Sequence, residues 1–232
     1  MGLANGVHHA AYCTRDLKTQ IAFFTDVLGM ELVALYWMHG VKGAMHAFLR
    51  LDDDSSIAFV HMPQVAEIKA ELGVTHAGNA GDPVAGGAQQ HIAFNIKDLP
   101  DLLAMRDRIR DRGVQVHGPV DHGFCQSIYL AGPEGIQLEF AISEKAIAAE
   151  SWIDPEVVEL CGIHLDELAR FKKPRSFPSQ GGTIKQPPFD PNRPHMIYAP
   201  PLDEWVKNAS DQEFTKTFSH AEPPVSNRTG SN

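Results

Sequence analysis

The chain says one phrase twice: His9-Ala10-Ala11-Tyr12-Cys13-Thr14-Arg15-Asp16-Leu17 returns 82 residues later as His91-Ile92-Ala93-Phe94-Asn95-Ile96-Lys97-Asp98-Leu99. Both copies read His-x-Ala-aromatic-x-x-basic-Asp-Leu. Each is followed by an amphipathic helical stretch and then by short β-like runs, which is what a duplicated structural module leaves in sequence. The duplication sets two histidines at equivalent points of two equivalent units.

Local patterns fill in the units. Residues 7–14 are apolar, aromatic and β-tolerant, and Asp16 can cap the helix that follows. Within it Leu17, Ile21, Phe24 and Leu28 recur at three or four, giving one buried face, and Gly29 ends it as a residue free to adopt left-handed backbone. Strands are expected over 30–35, 37–51 and 56–62, the last two separated by the acidic turn at 52–55. The second unit repeats the order: strand 90–96, helix 99–112 closed by Gly113, and strands 114–117, 127–130 and 136–141, with the turn Gly132-Pro133-Glu134-Gly135 before the last. The expected fold is α+β, with tandem βαβββ modules at 1–64 and 89–142. The linker 65–88 holds a short helical piece over 65–72 and a Gly-rich stretch that reads as a mobile loop able to fold over a pocket. Residues 143–232 form an extension, helical from Asp154-Pro155 to Phe171 and then Pro-rich, expected to run extended over the modules or a partner subunit. Residues 226–232 are expected to be disordered.

Composition narrows the partners. A formal charge of −9 and a pI near 5.7 argue against nucleic acid or an anionic membrane as partner, because either would want clustered Lys and Arg, and they leave a small molecule as the expected ligand. No apolar run approaches the roughly 18 residues of a membrane span. Cys13, Cys125 and Cys161 have no metal-type or redox-type spacing, and the chain opens without a basic n-region and apolar h-region, which together fit the cytoplasm.

Three residues carry the candidate chemistry. Period-two alternation puts His9, Ala11 and Cys13 on one strand face and His91, Ala93 and Asn95 on the equivalent one, so paired modules would aim both imidazoles at a shared cavity. Glu139 stands between Leu138 and Phe140 in an apolar strand, where an unpaired carboxylate is expensive and a metal ion compensates. Two imidazoles and one carboxylate with open positions are the donor set of non-haem Fe(II) oxygenases, and Zn, Mn or Ni could fill the same set.

The chain resembles the vicinal oxygen chelate superfamily, which includes glyoxalases, bleomycin-resistance proteins, epimerases and extradiol dioxygenases. The likeness lies in Val7-His8-His9-Ala10-Ala11 with Asp16-Leu17, in Phe23-Phe24-Thr25-Asp26-Val27-Leu28-Gly29, in His91-Ile92-Ala93-Phe94 with Asp98-Leu99, and in Gly132-Pro133-Glu134-Gly135-Ile136-Gln137-Leu138-Glu139. It implies a cup-shaped mixed sheet around one metal site over about residues 5–142, with His9, His91 and Glu139 as the metal ligands. Glyoxalase-like members take a fourth ligand from the first module's last strand, where this chain has Ile57-Ala58-Phe59-Val60-His61, without an acid; His61 could serve only if the register slips. A three-ligand site favours the dioxygenase branch. The resemblance also makes His122 and Tyr129 the pocket His and Tyr of extradiol dioxygenases, one handling protons and the other orienting substrate. The acid-base His expected before the strand at 57–60 is replaced by Ser55-Ser56, and His76 is a substitute without positional support.

The expected protein is therefore an Fe(II)-dependent dioxygenase of a small catecholic or otherwise vicinally oxygenated molecule, using O2. A glyoxalase-like isomerase, epimerase or lyase and a ligand-sequestering resistance protein are the alternatives. A homodimer is expected. Cys13 is expected to act as a small buried apolar residue, and Tyr36, Trp37, Phe48 and Phe59 either to line the cup or to sit in the core. His39, His46, His117, His164, His195 and His220 have no motif behind them.

Overall fold

In a computed structural model, which describes residues 4–143 and 145–225, each copy of the repeated phrase opens a four-stranded sheet. Strand β1 (His9–Cys13) leads into helix α1 (Leu17–Ala22), followed by β2 (Glu31–Trp37), β3 (Met45–Asp52) and β4 (Ser55–His61) in the order β1-β4-β3-β2. The second module runs β5 (Ile92–Asn95), α2 (Leu99–Asp111), β6 (His117–Asp121), β7 (Gln126–Ala131) and β8 (Gln137–Ile142) in the order β5-β8-β7-β6. In each, the first strand is parallel to the last and the other neighbours are antiparallel. The fold is α+β, two βαβββ modules in tandem.

The repeated Asp performs the same task in both modules. Asp16 Oδ1 accepts from the Thr19 N–H at 3.1 Å and Asp98 Oδ1 from the Asp101 N–H at 3.1 Å, satisfying amides that a helix start leaves free. After Ala22 the first helix widens into a π-helical turn, Phe23–Val27, where the Thr25 hydroxyl donates back to the Ile21 carbonyl at 2.8 Å. Gly29 then leaves the helix at φ +83, as its position demands.

Several boundaries differ from expectation for local reasons. The run 37–51 is not one strand: residues 38–44 form a turn in which Gly40 and Gly43 take φ +72 and +77, and β3 begins at Met45. The strand expected at 114–117 begins at His117, because the Val114 N–H still donates to the Ile109 carbonyl at 3.2 Å and belongs to the end of α2. In place of the helical piece expected over 65–72, a 3-10 turn, Pro63–Glu67, leads into the linker, which then holds an isolated β-bridge between Leu72 and His76.

The extension also departs from the single helix and extended tail that were expected. It starts with the one-turn helix α3 (Ala149–Trp152), then α4 (Pro155–Leu160) and α5 (Leu165–Lys172), divided at Gly162 with φ +66. The Pro-rich part contains α6 (Leu202–Asn208) and α7 (Asp211–Phe218), where Trp205, Phe214 and Phe218 gather and Ser210 caps with Glu213. Residues 226–232 lie outside the described residues.

One core serves both modules: Leu17, Phe24 and Phe59 belong to the same buried cluster as Leu102, Ile109, Leu138 and Phe140. Two clasps join the modules at the surface. Glu134, in the β7–β8 turn, accepts from the Thr14 hydroxyl at 2.5 Å, the Arg15 N–H at 2.9 Å and Gln20 Nε2 at 3.1 Å. Arg108 on α2 donates to the Val27 and Asp26 carbonyls at 2.8 and 3.2 Å, neutralising the end of the first module's helix. With Tyr12, Phe59, Leu138 and Phe140 turned to this core, alternation sends His9 and Glu139 to the opposite faces of their sheets.

Candidate functional site

Parallel pairing sets the carboxylate. In the second module Ala93 is registered with Glu139, and in the first the equivalent Ala11 is registered with Ala58. Glu139 therefore has an alanine as its counterpart, and the first module offers no fourth donor there. His61 is turned away, its Nδ1 lying 3.1 Å from the Thr14 carbonyl.

Glu139 is 6% exposed, and each of its oxygens has a partner. Oε2 lies 3.0 Å from His91 Nε2, and Oε1 accepts from the Tyr129 hydroxyl at 3.2 Å, Tyr129 being its direct cross-strand neighbour. His122 Nε2 lies 2.7 Å from the same hydroxyl. The phenol has one proton, so committing it to Glu139 makes His122 Nε2 the donor to Tyr129. Burial, opposed by a bond to Ser127 and aided by the negative charge of Glu139, holds the Tyr129 phenol above its ordinary value of 10.0. The result is one connected line, His122–Tyr129–Glu139–His91.

His91 is oriented from the linker. Gln90 donates through Nε2 to the Asn79 and Asp82 carbonyls at 3.1 and 3.0 Å, which fixes its amide and turns Oε1 to His91 Nδ1. Nδ1–H then donates to Oε1, and Nε2 presents a lone pair toward a carboxylate oxygen. Two acceptors 3.0 Å apart need a proton or a metal ion between them. Donors about 2.1 Å from one ion and at about a right angle stand about 3.0 Å apart, so this pair fits a divalent metal. The orienting amide is the outer support that ligating histidines ordinarily have.

His9 is elsewhere. It is exposed, registered with Ser56, set against Phe48 at 5.4 Å between ring centroids, with its Nδ1 2.9 Å from His8 Nδ1. Among the described residues no three His, Cys, Asp or Glu side chains lie close enough to hold one metal ion, so the expected triad is not assembled within one chain. The reason is topological: β1 and β5 each form the open edge of a separate sheet, and the two repeated histidines follow those edges.

Linker residues Ile68 and His76 line a cavity of about 410 Å3 together with Ala11, Cys13, Arg15 and His91, and the Gly-rich stretch 78–87 expected to fold over a pocket is not part of its lining. His76 thus shares the cavity with His91 without joining the bonded line. Cys13 is exposed, not buried as expected, because it lies on the His9 face of an edge strand. His46 has no motif behind it in the sequence, yet it is 8% exposed, packs on Phe48 at 4.4 Å beside Tyr36, and keeps a buried Nε2 with no hydrogen-bond partner. The signal for it was β-alternation from Met45, hidden by the unrecognised turn at 38–44.

Paired βαβββ modules of this order are the fold of vicinal oxygen chelate proteins. Residues 6–140 match the model of the Glyoxalase/Bleomycin resistance protein/Dioxygenase superfamily, and the chain belongs to that superfamily. It is 36% identical over 143 residues to biphenyl-2,3-diol 1,2-dioxygenase 3 of Rhodococcus globerulus, a match covering 62% of this chain and 66% of that protein, just under two thirds of its length. It is 27% identical over 138 residues to a probable lactoylglutathione lyase of Synechocystis sp., covering 56% of this chain and 90% of the other. A solved glyoxylase/bleomycin resistance protein/dioxygenase domain from Frankia sp. EAN1pec superposes on 61% of this chain and 99% of its own with a TM-score of 0.48 at 16% identity. The superfamily thus includes dioxygenases and lyases. No helix among the described residues is long and apolar enough to cross a membrane.

Proposed function

We propose that the chain is a metal-dependent dioxygenase of the extradiol type, acting on a small molecule with adjacent oxygens such as a catechol. The observation that carries this reading is the bonded line from His122 through Tyr129 and Glu139 to His91, because it joins a metal-donor pair to an exposed imidazole able to exchange protons with a bound substrate. The likeness to the Rhodococcus globerulus dioxygenase supports it, and so does Ala58, which leaves out the fourth donor of glyoxalase-like relatives.

Bound at His91 and Glu139, Fe(II) would supply open positions for two adjacent substrate oxygens and for O2. His122 takes the proton of a substrate hydroxyl at Nδ1 while Nε2 stays bonded to Tyr129. Tyr129 holds that ring against the carboxylate and keeps its own proton. Gln90 keeps His91 in the ligating tautomer. The third donor, His9, comes in this reading from a second copy of the chain: β1 and β5 are the edge strands of their sheets, and a twofold pairing at these edges would bring His9 of one copy toward the His91–Glu139 pair of the other. The three free cysteines suit a cytoplasmic setting.

The likeness to the Synechocystis lyase favours a second reading, in which Zn, Mn or Ni polarises a carbonyl or enediolate without O2. Elemental analysis of protein purified without added metal, followed by an O2-electrode trace with a catechol panel after anaerobic Fe(II) loading, separates the two. Iron with catechol-dependent O2 uptake is the expected result. Another metal with no uptake moves the assignment to the lyase branch, and absence of any metal removes both.

A further inference from the structure

The extension beyond residue 142 lies outside the family match, which ends at residue 140, yet one of its side chains sits on the loop that presents His122. That loop is a tight turn: the His122 N–H donates to the Cys125 carbonyl at 2.8 Å, and the Gly123 N–H donates to Asp121 Oδ1 at 2.7 Å. Gly123 takes φ +82, and a Cβ placed there would lie 3.2 Å from Cη2 and Cζ2 of Trp152. The neighbouring Phe124 meets the same indole edge to face, with ring centroids 4.8 Å apart at 84°. Trp152 closes the one-turn helix α3, held by its own N–H to the Ala148 carbonyl at 3.1 Å.

We propose that Trp152 is a positioning residue for the active site: by clamping Gly123 and Phe124, the extension fixes the turn that aims His122 at Tyr129. Two independent contacts converge on one indole, and both lie within two residues of His122. The backbone conformation at position 123 and the room left there each suit glycine, as a close indole requires. A ring on a turn that loses this clamp swings through angles that break a 2.7 Å bond, so the contact governs proton handling and leaves the metal donors alone.

The inference rests on the dioxygenase reading for its effect on turnover but not for its effect on His122. The test compares Trp152→Ala and Trp152→Phe with the parent, each carrying its metal. For Trp152→Ala, kcat should fall on the order of tenfold with KM and metal content unchanged, and Trp152→Phe, which keeps an aromatic edge on Phe124, should restore most of it. Adding Trp152→Ala to Tyr129→Phe should cost little more than Tyr129→Phe alone, since both act through the same bond. Independently of turnover, nitrogen-15 histidine spectra should show the His122 ring signal displaced in Trp152→Ala and returned in Trp152→Phe. An unmoved ring signal, or a displaced signal with unchanged kcat, overturns the proposal. If no substrate is turned over by any form, the dioxygenase reading fails while the ring signal still decides the clamp. Should Trp152→Ala not fold, Phe124→Leu, which removes the other side of the same contact, is expected to displace the signal in the same way.

Discussion

The hydroxyl of Tyr129 stands 2.7 Å from Nε2 of His122, and its one proton is committed to Glu139 Oε1 at 3.2 Å. Tyr129→Phe deletes both bonds while keeping the ring that packs in β7. Metal content should be retained, because His91 and Glu139 stay in place, and kcat should fall about 100-fold as the imidazole loses its anchor. Since burial keeps the phenol protonated beyond neutrality, the deficit should be the same at every pH across the neutral range. A variant with parental kcat would show that His122 needs no such support.

Glu134 joins the modules from a backbone conformation that side chains avoid, with φ 59. Its carboxylate holds Thr14, the Arg15 amide and Gln20. Glu134→Ala loses these bonds and keeps the left-handed backbone, so it should destabilise the fold by about 1–2 kcal/mol, discounted for the exposure of the turn. Glu134→Gly loses the same bonds but relieves the backbone, and should be the more stable of the two by about 1 kcal/mol. Urea unfolding of the pair checks the order; a Gly variant less stable than the Ala variant would mean the turn is not strained.

His46 supplies a pH signature. Burial first, and the nearby charge of His9 second, hold its imidazole below the ordinary 6.5. The unfolded chain therefore binds this proton more readily than the folded one, so the contribution to stability is complete above pH 6.5 and is lost as pH falls through the lower folded value. His46→Phe cannot take up the proton and fits the aromatic wall of Tyr36 and Phe48. Its urea midpoint should decline less than the parent's as pH is lowered from neutrality to about 5. Parallel declines would assign the acid limb to other groups.

Some of this was legible from residues alone. Glu139 announced itself as an acid between Leu138 and Phe140, and the duplicated phrase marked His9 and His91 as equivalents. Both signals are local or periodic, and so survive in a linear string. The separation of the two histidines does not, because it depends on which edge of each sheet faces which, a matter of tertiary packing. Glu134 reaches Thr14 across 120 residues, and Trp152 meets Gly123 from a one-turn helix of four residues, too short to show a period in sequence. No spacing in sequence encodes such contacts.

The last consequence concerns His9. One chain brings two donors together at His91 and Glu139, while His9 sits on the first module's sheet, and in the proposed reading the third donor comes from a second chain. If the sites are shared, His9→Ala and His91→Ala each abolish turnover in the homodimer, because every site then lacks one donor. A hybrid of the two variants has one site missing both histidines and one site with both intact, since the His91→Ala chain still brings His9 and the His9→Ala chain still brings His91. Random exchange makes half of the dimers hybrids, so mixing the inactive variants should restore about a quarter of the parental activity and metal content. If His9 instead swung across within its own chain, no hybrid could hold an intact site and the mixture would stay inactive. The recovery on mixing thus distinguishes a site shared between copies from one completed by movement inside a single chain.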